Sequence, residues 1–348
     1  MPARHHRERY RLPVVLALVV GAVVVLAVTQ LVSRPDRDVA DVGAVPGGGV
    51  PEPEGSQERS WLSGSAGAPV VDGTLEEWRG TPVLIAGYWA DSNEGMLALW
   101  QLQPGDKYGD WPHAMDIAIG AIDEHESWAE AAEGAYDDRW REALGNLAEL
   151  RGEVREPTYI RFAHESNGDW YPWRVDAQSA EDFVASWRRF RSIQLEEYPE
   201  AELVFNVNSE SVGSGVDWRE TFPGSEYVDV FSVDYYNQHP WVNSREDWQE
   251  AIEELDDHGA PKGLEQHRRF AESAGLPFAI PEWSNNAHEG DAPVFMEEFY
   301  TYLQQHAGDG PGELLYEIHF NIEQDDNAWA LYPNTRMPRS AEVYRQLW

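Results

Sequence analysis

Short apolar and β-branched runs recur along the chain after residue 60, and a polar or helix-periodic stretch separates each run from the next. This alternation is the pattern of βα units that build a parallel sheet. We predict one strand for each of eight runs, of which the first carries the weakest signal. The predicted strands are residues 61–64, 81–88, 113–122, 158–163, 202–207, 228–233, 277–280 and 314–320.

The stretches between the predicted strands have the periodicity of helices. Apolar residues recur at spacings of three and four in several of them, including residues 138–150, 180–198 and 294–305. Eight strands with intervening helices favour a closed (β/α)8 TIM barrel. An open, doubly wound sheet remains the alternative, because periodicity does not report closure. In a barrel the active site lies at the C-terminal ends of the strands, so polar residues there are the candidates for chemistry.

The N-terminal part of the chain predicts a different organisation. Residues 12–32 carry no charge and are long enough to cross a bilayer as one helix, and four arginines precede them. We therefore predict a cytoplasmic basic tail (1–11), a transmembrane signal-anchor (12–32), a Pro/Gly/acidic linker (33–59) and one extracytoplasmic folded unit (60–348). The alternative is secretion after signal-peptide cleavage, although the apolar run is longer than a usual signal.

Composition narrows the classes of function. The 62 acidic and 26 basic residues give a formal net charge of −36, which argues against a nucleic-acid partner. The absence of cysteine excludes disulfides, thiolate metal sites and cysteine nucleophiles. The histidines have no recognisable metal spacing, and no phosphate-loop, dinucleotide or serine-hydrolase motif occurs. We expect no metal, no cofactor and a monomeric folded unit.

Two of the predicted strands lead directly into a glutamate. The fourth run continues into Glu165 within RFAHESNGDWYPW, and the seventh continues into Glu282 within PEWS. Because the strand ends of a barrel meet at one face, we expect the two carboxyl groups to lie close together. Hydrolysis of a glycosidic bond needs such a pair: one group protonates the leaving oxygen, and the other attacks or directs water at the anomeric carbon.

The segment RFAHESNGDWYPW (residues 161–173) resembles the signature of glycoside hydrolase family 26, R-P-x-H-E-M-N-G-x-W-(Y/F)-P-W. The run YVDVFSVDYYN (227–237) is similar to the sixth strand of that family, and FAIPEWS (278–284) resembles its seventh. The resemblance extends over residues 60–348. It implies a retaining β-glycanase with a (β/α)8 barrel, and β-mannanase is the best-known activity of the family.

The resemblance also implies roles for individual residues. Glu165 would be the acid/base and Glu282 the nucleophile, with carboxyl groups about 5 to 5.5 Å apart as in retaining enzymes. The remaining implied roles are hydrogen bonds to sugar hydroxyls from His164 and Asn167, an ion pair to the nucleophile from Arg161 and a hydrogen bond to it from Tyr236. An arginine and a phenol directed at a nucleophile favour its charged form near neutral pH.

The sequence departs from the family pattern in two places. Phe162 and Ser166 stand where family members commonly have Pro and Met, and the end of strand eight lacks the tryptophan that many members have. The residues there are His319, Phe320 and Asn321. These changes leave the reaction intact but weaken the inference of mannan as substrate. A β-glucan and a β-1,3-xylan stay as alternatives.

The chain is rich in aromatic residues, with 16 Trp, 15 Tyr and 11 Phe. Indole rings in strand-end loops stack well on the C–H faces of sugars, so we predict that Trp170, Trp173 and Trp283 bind substrate. Trp329 either replaces the missing tryptophan platform or packs in the core. The sequence around Trp89 does not separate sugar binding from packing.

Three functions follow from these observations. The leading hypothesis is a membrane-anchored retaining endo-β-glycanase that cuts a β-linked polysaccharide, most simply a mannan. The second is a cell-surface barrel that binds polysaccharide without cutting it. The third is an anchored enzyme that trims the cell's own exopolysaccharide, since a foraging enzyme is more useful when it is released.

Overall fold

A computed structural model describes residues 60–324 and 326–348. The predicted basic tail (1–11), transmembrane helix (12–32) and linker (33–59) lie outside the described residues. Within the described part, each helix is too short or too polar to cross a bilayer.

The described residues contain eight parallel strands that close into a barrel in chain order. The closure is direct, since Leu62 in the first strand pairs with Tyr316 in the last. The predicted (β/α)8 barrel is confirmed, and the open-sheet alternative is wrong. The strands are β1 (Leu62–Ser65), β2 (Ile85–Ala90), β3 (Ala114–Ile119), β4 (Thr158–Phe162), β5 (Glu202–Asn208), β6 (Val230–Asn237), β7 (Phe278–Asn285) and β8 (Leu314–His319).

Helices connect the strands, and the three predicted ones correspond to α5, α6 and α9 below. In α6 the aromatic residues Phe183, Trp187 and Phe190 recur at helical spacing and are buried. Phe190 stacks on Phe162 of β4 with ring centroids 3.9 Å apart, so α6 packs against the outside of the barrel. The helices are α1 (Ala68–Val71), α2 (Thr74–Arg79), α3 (Asn93–Ala98), α4 (Trp128–Ala132), α5 (Asp137–Arg151), α6 (Ala180–Glu197), α7 (Arg245–Ala251), α8 (Leu264–Ala274), α9 (Pro293–His306) and α10 (Pro338–Leu347).

Side chains alternate along each strand, and the inward-facing ones form two layers inside the barrel. The lower layer, called the barrel floor here, is an apolar cluster that includes Ile85, Ala114, Tyr159, Val204, Val230, Ala279 and Tyr316. Towards the C-terminal ends of the strands the inward positions become polar, and we call this layer the barrel mouth. Its buried members include Asp116, Arg161, Asn206 and Asp234. The floor supplies packing, and the mouth concentrates charge at the face where barrel enzymes act.

Strand β7 contains one extra residue next to Pro281. While β6 advances by two residues, β7 advances by three, from Ala279 to Glu282, and a similar register shift occurs against β8. Proline cannot donate a ladder hydrogen bond, so a bulge at this position is the arrangement that it tolerates. The bulge turns Glu282 towards the mouth and Trp283 towards the helices. The predicted strand ended at residue 280, whereas β7 continues to Asn285.

Candidate active site

The barrel mouth opens into a cavity of about 730 Å³. Glu165 and Glu282, the two glutamates singled out by the sequence, both line it. Aromatic side chains and further polar groups complete its wall. The other lining residues are Trp89, Asp91, Trp170, Tyr171, Asn208, Ser209, Glu210, Val212, Tyr236, Gln238, His239, Phe320, Ile322, Gln324 and Trp329.

Glu282 accepts hydrogen bonds from three side chains. Arg161 Nη1 and Trp89 Nε1 each lie 2.7 Å from its Oε1, and the Tyr236 hydroxyl lies 3.0 Å from its Oε2. Each of these groups donates, and the guanidinium also carries a positive charge. Donors and a cation stabilise the ionised form of a carboxylate. Glu282 is therefore held in one orientation, with a cation beside one of its oxygens.

Arg161 itself is fixed by a buried network. Its Nε donates to Asp116 at 2.6 Å and its Nη1 reaches Asp234 at 3.2 Å, while the Tyr316 hydroxyl donates to the second oxygen of Asp116 at 2.7 Å. Burial alone would lower the pKa of Arg161, but three carboxylates around it raise that pKa well above its ordinary value. The guanidinium remains charged and rigid beneath Glu282.

Glu165 has a contrasting environment. Among the described residues, one side chain donates to its carboxyl: Trp170 Nε1, at 3.0 Å. Burial and the neighbouring Glu282 raise the pKa of Glu165 to about 8. A carboxyl with this pKa is protonated at neutral pH, which is the state a general acid needs.

The turn that carries Glu165 is strained. Ala163 and Glu165 both have positive φ angles, 52° and 49°, which side chains other than glycine seldom adopt. The backbone N–H of Glu165 is held by Asn206 Oδ1 at 3.1 Å. Such strain persists only where surrounding contacts enforce it, and it is concentrated at functional sites.

Two other predicted polar residues, His164 and Asn167, have different surroundings. The ring of His164 is fully buried and does not line the cavity, and burial lowers its pKa well below the usual value, so the ring is neutral. The amide of Asn167 is occupied by the backbone: its Nδ2 donates to the oxygens of Asn208 and Glu210, and its Oδ1 accepts from the N–H of Asn208. Asn167 joins two strand-end loops and does not line the cavity.

The four predicted tryptophans separate into two pairs. Trp170 and Trp329 line the cavity, and Trp170 is 46% exposed. Trp173 and Trp283 do not line it. Trp173 is buried and donates to the backbone oxygen of His164, and Trp283 lies outside the barrel, where its indole donates to Glu317. The positions of Trp173 and Trp283 are those of packing residues, because a sugar cannot reach them.

The departures from the family pattern lie mostly away from the cavity. Phe162 packs against α6, Ser166 is buried, and His319 packs against Trp283 with ring centroids 4.9 Å apart. Asn321 binds the backbone of the loop that follows β8. Among these positions Phe320 lines the cavity, so it is the one that bears on substrate contacts.

Sequence reasoning left several residues of this site without a predicted role, among them Trp89, Asp91 and Tyr171. Trp89 binds Glu282 directly, Asp91 lines the cavity, and Tyr171 lines it from the β4 loop. Alternation along β2 was the available signal. Ile85 belongs to the barrel floor, so every second residue after it, including Trp89 and Asp91, faces inward. Among the described residues, no group of three or more metal-binding side chains could hold a metal ion.

The sequence matches the model of a family described as "Glycosyl hydrolase family 26" over residues 42–261, which is more than half of the chain. The chain belongs to glycosyl hydrolase family 26. It is therefore a glycoside hydrolase, and the resemblance stated from the motif is confirmed. The matched region contains Glu165 and ends before Glu282. The geometry around Glu282 thus adds information that the family match does not carry.

Two curated relatives match part of the chain. Endoglucanase H of Acetivibrio thermocellus is 35% identical over 193 residues, which are 54% of this chain and 20% of that protein. A mannan endo-1,4-beta-mannosidase of Bifidobacterium adolescentis is 23% identical over 178 residues, 49% of this chain and 16% of that protein. The chain spans about a fifth or less of the length of these relatives.

Solved structures of family 26 members share the fold. The catalytic domain of an endo-beta-1,4-mannanase from Bacillus sp. JAMB-750 superposes with a TM-score of 0.58 at 15% identity, covering 82% of this chain and 86% of that one. A beta-mannanase from Bacteroides ovatus gives 0.59 at 14% identity, covering 83% and 88%. At these identities the likeness supports the barrel and carries nothing about substrate.

Proposed function

We propose that this family 26 hydrolase is a retaining endo-β-glycanase that works by double displacement, with Glu282 as nucleophile and Glu165 as acid/base. The observation that carries the proposal is the contrast between the two carboxyls at one cavity. Glu282 accepts three hydrogen bonds, one of them from a cation, whereas the pKa of Glu165 is raised to about 8. Environments that separate two carboxyls in this way assign them opposite roles.

The proposed reaction proceeds in two steps. In the first, an Oε of Glu282 attacks the anomeric carbon while the Glu165 carboxyl gives its proton to the glycosidic oxygen, which leaves as an alcohol. A glycosyl ester of Glu282 and an ionised Glu165 result. In the second, Glu165 takes a proton from water, the water oxygen attacks the anomeric carbon, and Glu282 leaves as a carboxylate.

We propose a β-linked polysaccharide as the substrate, and a mannan as the first candidate. An open cavity with exposed Trp170 and with Trp329 on its wall suits a chain of several sugars. One partial relative is named a mannan endo-1,4-beta-mannosidase, and the other is named an endoglucanase, so a β-glucan is the second candidate. A β-1,3-xylan is the third. Hydrolysis of a panel of these polymers, followed by analysis of product lengths, distinguishes them.

Azide rescue tests the two assigned roles. We expect Glu282→Ala to lose roughly 10³-fold or more in kcat on a 2,4-dinitrophenyl β-glycoside, and azide to restore turnover with an α-glycosyl azide as product. In Glu165→Ala the intermediate still forms from this activated substrate, so azide is expected to give the β-glycosyl azide. A β product from the first variant, or wild-type activity in either variant, contradicts the assignment. Melting temperatures control for folding.

We also propose that residues 1–11 lie in the cytoplasm, that 12–32 anchor the protein, and that the barrel (60–348) acts outside the membrane as a monomer. The uncharged run and the arginines before it support this arrangement. Treatment of intact cells with protease should remove the barrel and leave the anchor in the membrane fraction. Recovery of the barrel from the medium, with a new N-terminus after residue 32, would favour cleavage of a signal peptide.

A further inference from the structure

Asn206 on β5 links the surroundings of the two glutamates. Its Oδ1 accepts a hydrogen bond from the backbone N–H of Glu165 at 3.1 Å, and its Nδ2 donates to Asp234 Oδ1 at 3.1 Å. Asp234 in turn binds Arg161, which binds Glu282. A continuous chain of polar contacts therefore joins the backbone of Glu165 to the carboxyl of Glu282.

The alternation of side chains along β5 brings Asn206 to this position. Val204 belongs to the barrel floor, so Asn206, two residues later, also faces inward and enters the barrel mouth. Backbone pairing between β4 and β5 ends with Arg161 and Val204. Glu165 lies beyond that pair, and there the side chain of Asn206, rather than a strand backbone, accepts from its N–H.

The amide of Asn206 has one orientation that suits its partners. A backbone N–H only donates, so the amide oxygen must face Glu165; the reversed amide would set one donor against another. The Nδ2 of Asn206 then faces Asp234 and also donates to the Ser232 hydroxyl oxygen at 3.0 Å. Asn206 and both of these partners on β6 are buried. The side chain is therefore a fixed connector between β6 and the turn after β4.

The turn at Glu165 needs such a connector. Ala163 and Glu165 have positive φ angles, and a backbone of this kind persists only where other contacts enforce it. The carboxyl of Glu165 is bound by Trp170, but that side chain is exposed. Asn206 therefore supplies the buried side-chain contact that fixes this residue.

We propose that Asn206 is a positioning residue, which sets the place of the Glu165 carboxyl relative to Glu282. This inference rests on the proposed function. Asn206 does not line the cavity, so it acts through Glu165 and does not touch substrate. Glu282 keeps its own three donors when Asn206 is replaced. The loss should therefore fall on proton transfer by Glu165 and spare the attack by Glu282.

Leaving-group dependence tests this role. The substrates are the phenyl and 2,4-dinitrophenyl β-glycosides of whichever disaccharide wild type prefers among mannobiose, cellobiose and β-1,3-xylobiose. Phenol needs a proton from Glu165 to leave, whereas dinitrophenol leaves without one. For Asn206→Ala we expect kcat/KM to fall about 10- to 100-fold on the phenyl glycoside and less than about threefold on the dinitrophenyl glycoside. A role in folding alone would lower both values by the same factor.

Asn146→Ala is the matched control. Asn146 on α5 also makes a side-chain hydrogen bond to the backbone, to the oxygen of Leu97 at 2.9 Å, and it does not line the cavity. This variant should match wild type on both glycosides. Asn206→Ser covers the case in which the alanine variant does not fold. Its hydroxyl is one atom shorter than the amide and cannot span the same two partners, so the same difference between the glycosides is expected.

Equal losses on the two glycosides in the folded Asn206 variant, or no loss on the phenyl glycoside, overturn the inference. Melting temperatures identify the variants that fold. Wild type that hydrolyses none of the glycosides or the corresponding polymers overturns the proposed function instead.

Discussion

Glu282 and Glu165 line one cavity, yet Glu282 accepts hydrogen bonds from Arg161, Trp89 and Tyr236, whereas Glu165 accepts one, from Trp170. The difference arises from where each residue lies. Glu282 is inside β7 and reaches the polar layer of the barrel, where the cation Arg161 binds it. Glu165 lies beyond β4 in a strained turn, where burial dominates. One barrel thus gives two glutamates different sets of partners without any difference in side-chain chemistry.

The largest expected effect comes from removing the cation on the Glu282 side. We predict that Arg161→Met lowers kcat/KM on an activated aryl β-glycoside by roughly 10²- to 10³-fold. It should also lower the free energy of unfolding by about 3–5 kcal/mol in urea titrations, because Asp116, Asp234 and Glu282 lose their common partner.

Arg141→Met serves as the control for that experiment. Arg141 pairs with glutamates on the surface of α6, so its loss should cost less than about 1 kcal/mol and leave activity unchanged. If Arg161→Met is as active and as stable as this control, the buried network does not hold Glu282 in place.

A smaller effect is expected when one donor is removed and the cation stays. We predict that Tyr236→Phe lowers kcat/KM about 10- to 100-fold, since a hydrogen bond to a charged group contributes about 1.5–3 kcal/mol. Steady-state kinetics on the same glycoside measures it, and unchanged melting would assign the loss to the site. A loss below twofold would mean that Arg161 and Trp89 suffice for Glu282.

The smallest change in rate, but a distinct change in pH dependence, is expected on the Glu165 side. Glu165 must be protonated to act as an acid on an unactivated leaving group, so kcat/KM on the polysaccharide should fall as pH rises through about 8. The indole of Trp170 lowers the pKa of Glu165 by binding its ionised form. We therefore predict that Trp170→Phe moves the basic limb of the pH–rate profile to higher pH, with less than a tenfold loss at pH 6. A basic limb that moves to lower pH would contradict the assignment.

The barrel could be predicted from the sequence because each strand and helix carries its own periodicity. The eight runs and the helices α5, α6 and α9 overlap the observed elements. Closure of the barrel could not be predicted from local periodicity, because the pairing of Leu62 with Tyr316 joins residues more than 250 positions apart. It is a property of the twisted sheet as a whole.

Glu165 and Glu282 could be predicted as site residues because each is a glutamate at the end of a predicted strand. The role of Trp283 could not be predicted, because it depends on the direction in which the side chain points. We expected Trp283 to bind sugar, but it lies outside the barrel. Adjacent residues of a strand face opposite sides, so Glu282 and Trp283 cannot both enter the cavity. The same rule identifies Trp89, whose neighbour Tyr88 packs outside the barrel against Tyr108.

The extra residue beside Pro281 has a consequence for how this enzyme can change. Deleting one residue between Ala279 and Glu282 would reverse which side chains of the strand face inward. Glu282 would then point towards Phe299 outside the barrel, and Trp283 would point into the cavity. A point substitution does not change which side of the strand each residue faces. The number of residues in β7 thus decides which of its side chains faces the cavity.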